Sequence, residues 1–466
     1  MAKQAISTSE LQAMDNKFIH PWETMDAVGT AKRTVVERSE GIYIYDSDGN
    51  KLIDGPAGMW CVNIGHRRQE MADAISQQVM QLGYATPWDM TNGVAPKLAM
   101  ELAKRSPGDL NHVFFTTGGS TAVDSALRFV QYYNNYRGKP EKKIILAQEM
   151  GYHGSTFLGG SVSGKPKDKN FLDFVPGMVH HLPCPQPYFR KAEQSVGDFL
   201  EEKIANLENT IAQLGADKIG VMIAEPVLAS GGVIVPPQDY YRRCKAICEA
   251  NDILFIADEV VTAFGRLGHW FASEDEFGFV PDMITTAKGL TSAYVPMGAL
   301  LISDRLISEF TENEATGAYF ANGFTYSGHP VAAAAALKNI EIIEKEGLLE
   351  KVRNDTGPYF QKRLRELEDI AMVTEVRGRG LMGAVDCINA EGQDAAGREV
   401  AYEIGARIDA HCQALGLIVR PLISMCVMSP PLTIERQQID DMIEILRKGI
   451  ELAQADIIAE GLWQPE

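Results

Sequence analysis

A chain of 466 residues, 45% hydrophobic and 23% charged, has ordinary globular composition and is long enough for two or three domains with a large core. Its 44 basic and 62 acidic residues give a formal net charge of -18, which argues against a general nucleic-acid or anionic-membrane surface but leaves room for a local cationic pocket. No run reaches the roughly 18 apolar residues that a membrane helix requires, the first residues lack an apolar leader, and the seven cysteines show no CxxC pairing, so a cytoplasmic protein with reduced thiols is expected.

The first 60 residues read as a leading segment with Pro21-Trp22, then the strand Gly41 to Tyr45, a hairpin turn at Asp48-Gly49 and the strand Lys51 to Asp54. Asp46, Asp48 and Asn50 begin like a calcium loop, but Lys51 and Ala57 stand where such a loop needs glycine and glutamate. Met71, Ile75, Val79 and Leu82 recur at helical spacing, and a helix with Leu98 and Leu102 follows. Between about 112 and 305, short apolar runs beginning at His112, Lys143, Ile219, Ile253, Met283 and Gly298 alternate with helices, which predicts an α/β domain with a largely parallel sheet. Gly159 to Pro187 has no period and reads as one long irregular section. An alanine-rich helix after Pro330 leads to a smaller α+β domain. Its expected elements are a helix around Phe360 to Leu367, the strand Gly380 to Val385, a helix near 400–414, and Leu417 to Arg420. A last helix, capped by Thr433, sets Ile439, Met442, Ile443, Leu446 and Ile450 on one face.

The residues that follow the strands form an unusual inventory. Ligands in open α/β sheets sit beyond the strands' carboxyl ends, so Asp258 after Ile253 to Ala257 and Lys288 after Asp282 to Ala287 should face one crevice. Either charge alone is more often an ordinary surface charge. After Phe115 comes Thr116-Thr117-Gly118-Gly119-Ser120-Thr121, opening a helix. Its free N–H groups, with the Ser120 and Thr121 hydroxyls, suit a phosphate, although neither dinucleotide nor P-loop glycine spacing is present. Tyr152 and His153 lie between Gly151 and Gly154, where rings can stack on a planar ligand, and Glu225 follows Ile223. A nucleophilic lysine must lose its proton near neutral pH, which burial favours. Phosphate cradle, stacking ring, carboxylate and lysine together describe a pyridoxal 5'-phosphate site: the lysine forms a Schiff base with the cofactor's aldehyde and the carboxylate keeps its ring nitrogen protonated.

Three ordered motifs, Asp258-Glu259-Val260-Val261-Thr262-Ala263-Phe264-Gly265-Arg266, Thr285-Thr286-Ala287-Lys288-Gly289-Leu290 and Thr325-Tyr326-Ser327-Gly328-His329-Pro330, resemble those of class III, or ω-type, aminotransferases. The resemblance runs from His20-Pro21 to Ser429-Pro430-Pro431-Leu432. It implies fold type I: a large cofactor-binding domain over 61–330, whose mostly parallel sheet is flanked by helices, and a small α+β domain over 331–466 packed with the N-terminal segment 1–60. It further implies a homodimer with shared active sites, or a tetramer built from such dimers.

By motif position, the resemblance makes Lys288 the Schiff-base lysine and proton-transfer base, and Asp258 the partner of the pyridine nitrogen. Val260 would lie beneath the ring and Tyr152 above it, with His153 and Glu225 also in the cofactor site. Gly119 and Ser120 would bind phosphate in one subunit, Thr325 reaching in from the other. Arg420 resembles the mobile arginine that pairs with a substrate carboxylate, while Trp60, Tyr84 and Trp88 fall where relatives line the substrate pocket.

Three positions depart from the usual pattern. Gly118-Gly119-Ser120-Thr121 replaces a frequent Ser-Gly-Ser-Glu, which leaves open which hydroxyls bind phosphate; Asn322 stands where His-Gly is frequent, and Ala293 replaces a frequent glycine. The expected activity is ping-pong transfer of an amino group from an amine or ω-amino acid to a keto acid, pyruvate first among acceptors. An aminomutase or decarboxylating transaminase is the alternative within the fold. A cofactor-free lysine enzyme or an inactive binding protein is the alternative outside it.

Overall fold

The hairpin expected near the start forms in the computed structural model, which describes residues 6–312, 317–388 and 395–464. Val36–Glu40 (β1), Tyr43–Asp46 (β2) and Lys51–Asp54 (β3) are antiparallel neighbours. Gly49 turns with φ of 87°, open to a residue without Cβ, and Asp46 Oδ1 accepts from the N–H groups of Asp48 and Asn50 at 3.0 and 2.8 Å. Residues 1–5, the start of the stretch read for an apolar leader, lie outside the described residues.

The central sheet comprises His112–Thr116 (β4), Ile144–Gln148 (β5), Val179–Leu182 (β6), Ile219–Ala224 (β7), Leu254–Asp258 (β8), Met283–Thr286 (β9) and Gly298–Ile302 (β10), in the order β4-β10-β9-β8-β7-β5-β6. β10 runs antiparallel to both neighbours, and the other adjacent pairs are parallel. The strands β7, β8 and β9 are buried at every residue, as strands covered on both faces must be. Alternation divides their side chains between two cores: Val221, Ile223, Leu254 and Ile256 meet the helix Gly119–Tyr136, while Met222, Ala224, Phe255 and Ala257 join the larger core with Tyr240 and Cys244.

The stretch 159–187 is not uniformly irregular. It contains β6, paired in parallel with β5, and follows the start of a short helix, Phe157–Val162. An edge strand spelled Val-His-His-Leu has neither a continuous apolar run nor a clean alternation, which hid it from a periodicity reading.

In the last third, Val373–Arg379 (β11), Met382–Cys387 (β12), Arg420–Leu422 and Met425–Met428 form an antiparallel sheet, whereas Leu417–Ile418 pairs in parallel with β3. Numbered along the chain, 417–418 is β13, 420–422 is β14 and 425–428 is β15. The expected element Leu417 to Arg420 is therefore divided at Val419, and its two halves serve different sheets. The last helix is Arg436–Ala459 with the expected apolar face buried, but Glu435 caps it in a reciprocal pair with Gln438; Thr433 lies outside the helix and its Oγ1 is buried without a partner. On the helix Gln69–Gln81, Val79 is exposed and Gln78 turns inward, its Nε2 donating to Leu82 O at 3.0 Å. Among the described residues no helix is long and apolar enough to cross a membrane.

Candidate active site

A cleft of about 1400 Å³ opens beyond the carboxyl ends of the central strands, and Ser120, Tyr152, His153, Glu225, Asp258 and Lys288 all line it. They follow five strands of the central sheet: Ser120 comes after β4, Tyr152 and His153 after β5, Glu225 after β7 and Lys288 after β9, while Asp258 ends β8.

One end of the cleft is built by the helix Gly119–Tyr136. Its N-cap, Gly118, provides no side-chain cap, so the first N–H groups of an 18-residue helix are aimed outward. The hydroxyls divide: Thr121 Oγ1 donates to Gly118 O at 2.9 Å, whereas Ser120 lines the cleft with its Oγ accepting from Ser155 N at 3.2 Å. Ser120 is thus the hydroxyl in position to meet a bound anion. A Cβ at Gly154 would lie 2.6 Å from Ser120 Oγ, and one at Gly119 would lie 3.1 Å from both Val260 methyls, so these glycines permit the close approach of loop, helix and Val260.

At the other end Asp258 is bound on both oxygens. His153 Nδ1 is 2.8 Å from Oδ2, while Thr285 Oγ1 donates to Oδ1 at 3.1 Å and Val260 N at 3.3 Å. Burial pushes the His153 imidazole down, but the hydrogen bond and charge of Asp258, with the charge of Glu225, outweigh it and leave the pKa above the ordinary 6.5. The buried Glu225 accepts from Tyr152 N at 2.8 Å and Ala229 N at 3.0 Å. Burial pushes its carboxyl up to about 7, with Asp258 adding to the shift and His153 and the two N–H groups opposing it.

Lys288 sits just past β9 with φ of 43°, and Ser292 and Ala293 follow at 46° and 63°. Left-handed backbone of this kind costs a non-glycine residue on the order of 1 kcal/mol or more. Burial lowers the Lys288 amine below its ordinary 10.5, opposed by Cys61, Glu225 and Asp258, which favours the neutral nucleophilic form. Arg420, at the start of β14, also lines the cleft, and among the described residues no carboxylate lies within ion-pair distance of it. Burial lowers its guanidinium somewhat, against Tyr152, yet a guanidinium remains charged at neutral pH. The cleft therefore combines an anion-binding helix end, a lysine, a carboxylate for a cationic ring nitrogen and an unpaired cation. These residues fit pyridoxal 5'-phosphate.

Comparison with known proteins agrees. Residues 25–450 match the sequence model of the family described as aminotransferase class-III. The chain belongs to the class III aminotransferases. This class III aminotransferase is 38% identical over 455 residues to putrescine–pyruvate aminotransferase of Pseudomonas aeruginosa, covering 97% of this chain and 98% of the relative. It is 38% identical over 441 residues to the mitochondrial gamma-aminobutyrate transaminase 1 of Oryza sativa subsp. indica, covering 94% and 84%. It superposes on a thermostable (S)-enantioselective omega-transaminase from Thermomicrobium roseum with a TM-score of 0.89 at 35% identity, covering 97% of this chain and all of that one. Its fold is thus the fold type I arrangement of pyridoxal-phosphate enzymes, and its cofactor is pyridoxal 5'-phosphate.

Not every expected residue of this aminotransferase meets in the cleft. Trp60 lines it with Val260, but Tyr84, Trp88 and Thr325 are exposed elsewhere. Tyr84 Oη donates to Thr325 O at 3.0 Å and the Tyr84 ring packs near Tyr326 and His329, making a separate aromatic cluster, and Trp88 is 83% exposed. Asn322, the departure in that segment, donates to Ser125 Oγ at 3.0 Å and ties the segment to the helix Gly119–Tyr136. The leading segment also contributes what periodicity could not locate: Trp22 lines the cleft with its ring edge-on to Tyr152 at 6.1 Å. The Pro21-Trp22 pair in an aperiodic stretch was the only signal for it.

Proposed function

We propose that the enzyme transfers an amino group from an amine or ω-amino acid to a keto acid, with pyruvate the preferred acceptor. The observation that carries this reading is the convergence of Lys288, the Asp258–His153 pair, the uncapped helix at Ser120 and the unpaired Arg420 on one cleft. When bound, pyridoxal 5'-phosphate supplies an aldehyde for the amino group and a protonated ring that draws electrons from the substrate carbon.

In this reading Gly119 and Ser120 hold phosphate, Val260 and Tyr152 flank the ring, and Asp258 keeps a proton on the ring nitrogen with His153, Thr285 and Val260 fixing its orientation. Glu225 holds the Tyr152 backbone beside the ring. Lys288 anchors the group and carries the proton to and from the substrate carbon. Arg420 pairs with the acceptor's carboxylate; a bidentate guanidinium suits that task. The exposed surface of Tyr84, Trp88 and Thr325 supports a homodimer in which a second copy brings these residues to the neighbouring cleft.

The relatives' names span putrescine and gamma-aminobutyrate, so a panel of diamines, ω-amino acids and aryl amines against pyruvate and 2-oxoglutarate is the direct test. Alanine formed from pyruvate without carbon dioxide supports the proposal. Release of carbon dioxide, or isomerisation of the amine without an acceptor, indicates the decarboxylating or aminomutase alternative.

A further inference from the structure

Three left-handed non-glycine residues within six positions, Lys288, Ser292 and Ala293, make a loop that relaxes unless its surroundings hold it. Beside the loop's own turn bonds, such as Leu290 N to Ala287 O at 2.8 Å and Thr291 Oγ1 to Val295 O at 2.6 Å, one side chain from another element makes three bonds to it. Asn339, on the helix Pro330–Lys345, is fully buried among Ala332, Ala335, Ala336, Ile340 and Ile343. Its Nδ2 donates to Gly289 O at 2.8 Å and to Leu290 O at 3.1 Å, and its Oδ1 accepts from Ser292 Oγ at 2.6 Å. Ser292 Oγ accepts in turn from Ile64 N at 3.2 Å. The amide of Asn339 thus spends both its donors on the carbonyls that immediately follow Lys288. Elsewhere the loop has no slack, because a Cβ at Gly289 would lie 2.5 Å from Asn63 Nδ2 and 3.0 Å from Phe264 Cβ. An amide in an otherwise apolar helix stripe is costly unless its bonds are made, and here they are made to the loop that carries the lysine.

We propose that Asn339 is a positioning residue for Lys288, its amide holding the strained 288–293 loop so that the amine points into the cleft. The inference rests on the reading of Lys288 as the reacting lysine. It assigns Asn339 to the efficiency of the chemical step rather than to substrate affinity.

Asn339→Leu keeps the branched shape and the number of heavy atoms and removes all three bonds, whereas Ser292→Ala removes the hydroxyl alone. For each variant the apoprotein is mixed with pyridoxal 5'-phosphate. The rate at which the lysine-bound visible absorbance appears, and its midpoint against pH, are measured beside kcat, KM and thermal unfolding. Asn339→Leu should slow cofactor attachment and lower kcat by at least about 10-fold with KM within about twofold, as expected when a reacting group is misaimed. It should also move the pH midpoint by about half a unit or more. Ser292→Ala should change the same quantities in the same direction, less than the asparagine variant does, and the double variant should fall short of the summed effects. A folded Asn339→Leu protein with lowered thermal stability but normal attachment, midpoint and kcat would overturn the proposal. If Asn339→Leu does not fold, Ser292→Ala decides: a shifted midpoint and lowered kcat support it, and unchanged values overturn it. Lys288→Ala separates the two layers: persistence of the lysine-bound absorbance in that variant would fault the assignment of Lys288, on which the role of Asn339 rests, whereas its loss there beside normal attachment, midpoint and kcat in Asn339→Leu would overturn the role of Asn339 alone.

Discussion

His153 Nδ1 lies 2.8 Å from Asp258 Oδ2, with the two side chains only 1% and 3% exposed. A pair so enclosed is worth most to its partner when intact, because removing one member strands the other's charge away from water. His153→Leu should therefore leave Asp258 held only by Thr285 and Val260, with one carboxylate oxygen buried and without its partner. Equilibrium dialysis of pyridoxal 5'-phosphate should show affinity weakened by roughly 10- to 100-fold, the cost of one charged hydrogen bond. Wild-type affinity in a correctly folded variant would mean that the pair is not needed to hold the cofactor.

Protonation of Glu225 should be visible in the stability of the apoprotein. Its folded pKa, about 7, is raised above the ordinary 4.5, so its contribution to stability is fully present below 4.5 and is lost as pH rises through about 7. His153, raised above 6.5, acts with the same sign over a higher window that begins at 6.5. Replacing Glu225 with Gln removes the lower window: between pH 4.5 and 7 wild type should lose up to about 3 kcal/mol relative to Glu225→Gln, at about 1.4 kcal/mol per pH unit. Parallel stability curves from chemical denaturation would contradict this.

The unpaired guanidinium of Arg420 sets a third expectation. Arg420→Leu should raise KM for pyruvate by roughly 10- to 100-fold, the value of a charge-assisted carboxylate contact, and should affect amine donors that lack a carboxylate much less. Steady-state kinetics with an aryl amine and pyruvate separates the two effects. Equal losses on both substrates would place Arg420 outside carboxylate recognition.

Ala293 is a fourth test, of strain rather than chemistry. At φ of 63° an alanine suffers a Cβ clash that glycine avoids, so glycine is locally the better residue. Ala293→Gly should stabilise the apoprotein by about 0.5–1 kcal/mol after the added flexibility of the unfolded chain is subtracted, measurable as a raised unfolding midpoint in urea. A lowered midpoint would show that the surrounding contacts, and not the backbone, decide the position.

Much of the site was legible because its residues sit directly after buried runs. β8 and β9 are apolar enough to announce themselves, and Asp258 and Lys288 are where they stop. Ser120 was legible for a related reason, since a glycine turn before a periodic helix marks an uncapped N-terminus. What escaped has equally physical causes. β6 is a half-exposed edge strand that needs no apolar run, and the chain break at Val419 depends on two sheets competing for adjacent residues. Asn339 looked like one polar residue in an alanine-rich helix; only its bonds, to carbonyls about 50 residues earlier, show what it does. The contact between Tyr84 and Thr325 joins residues 241 apart in sequence, and no local period encodes it.

The central claim is that one cleft takes an amino group from a donor and gives it to an acceptor in two separate half-reactions. Initial rates over a grid of amine and pyruvate concentrations test it most directly. Two half-reactions give parallel double-reciprocal lines, alanine formed mole for mole with the carbonyl product, and loss of both in Lys288→Ala. Intersecting lines, or turnover that survives the loss of Lys288, would contradict it.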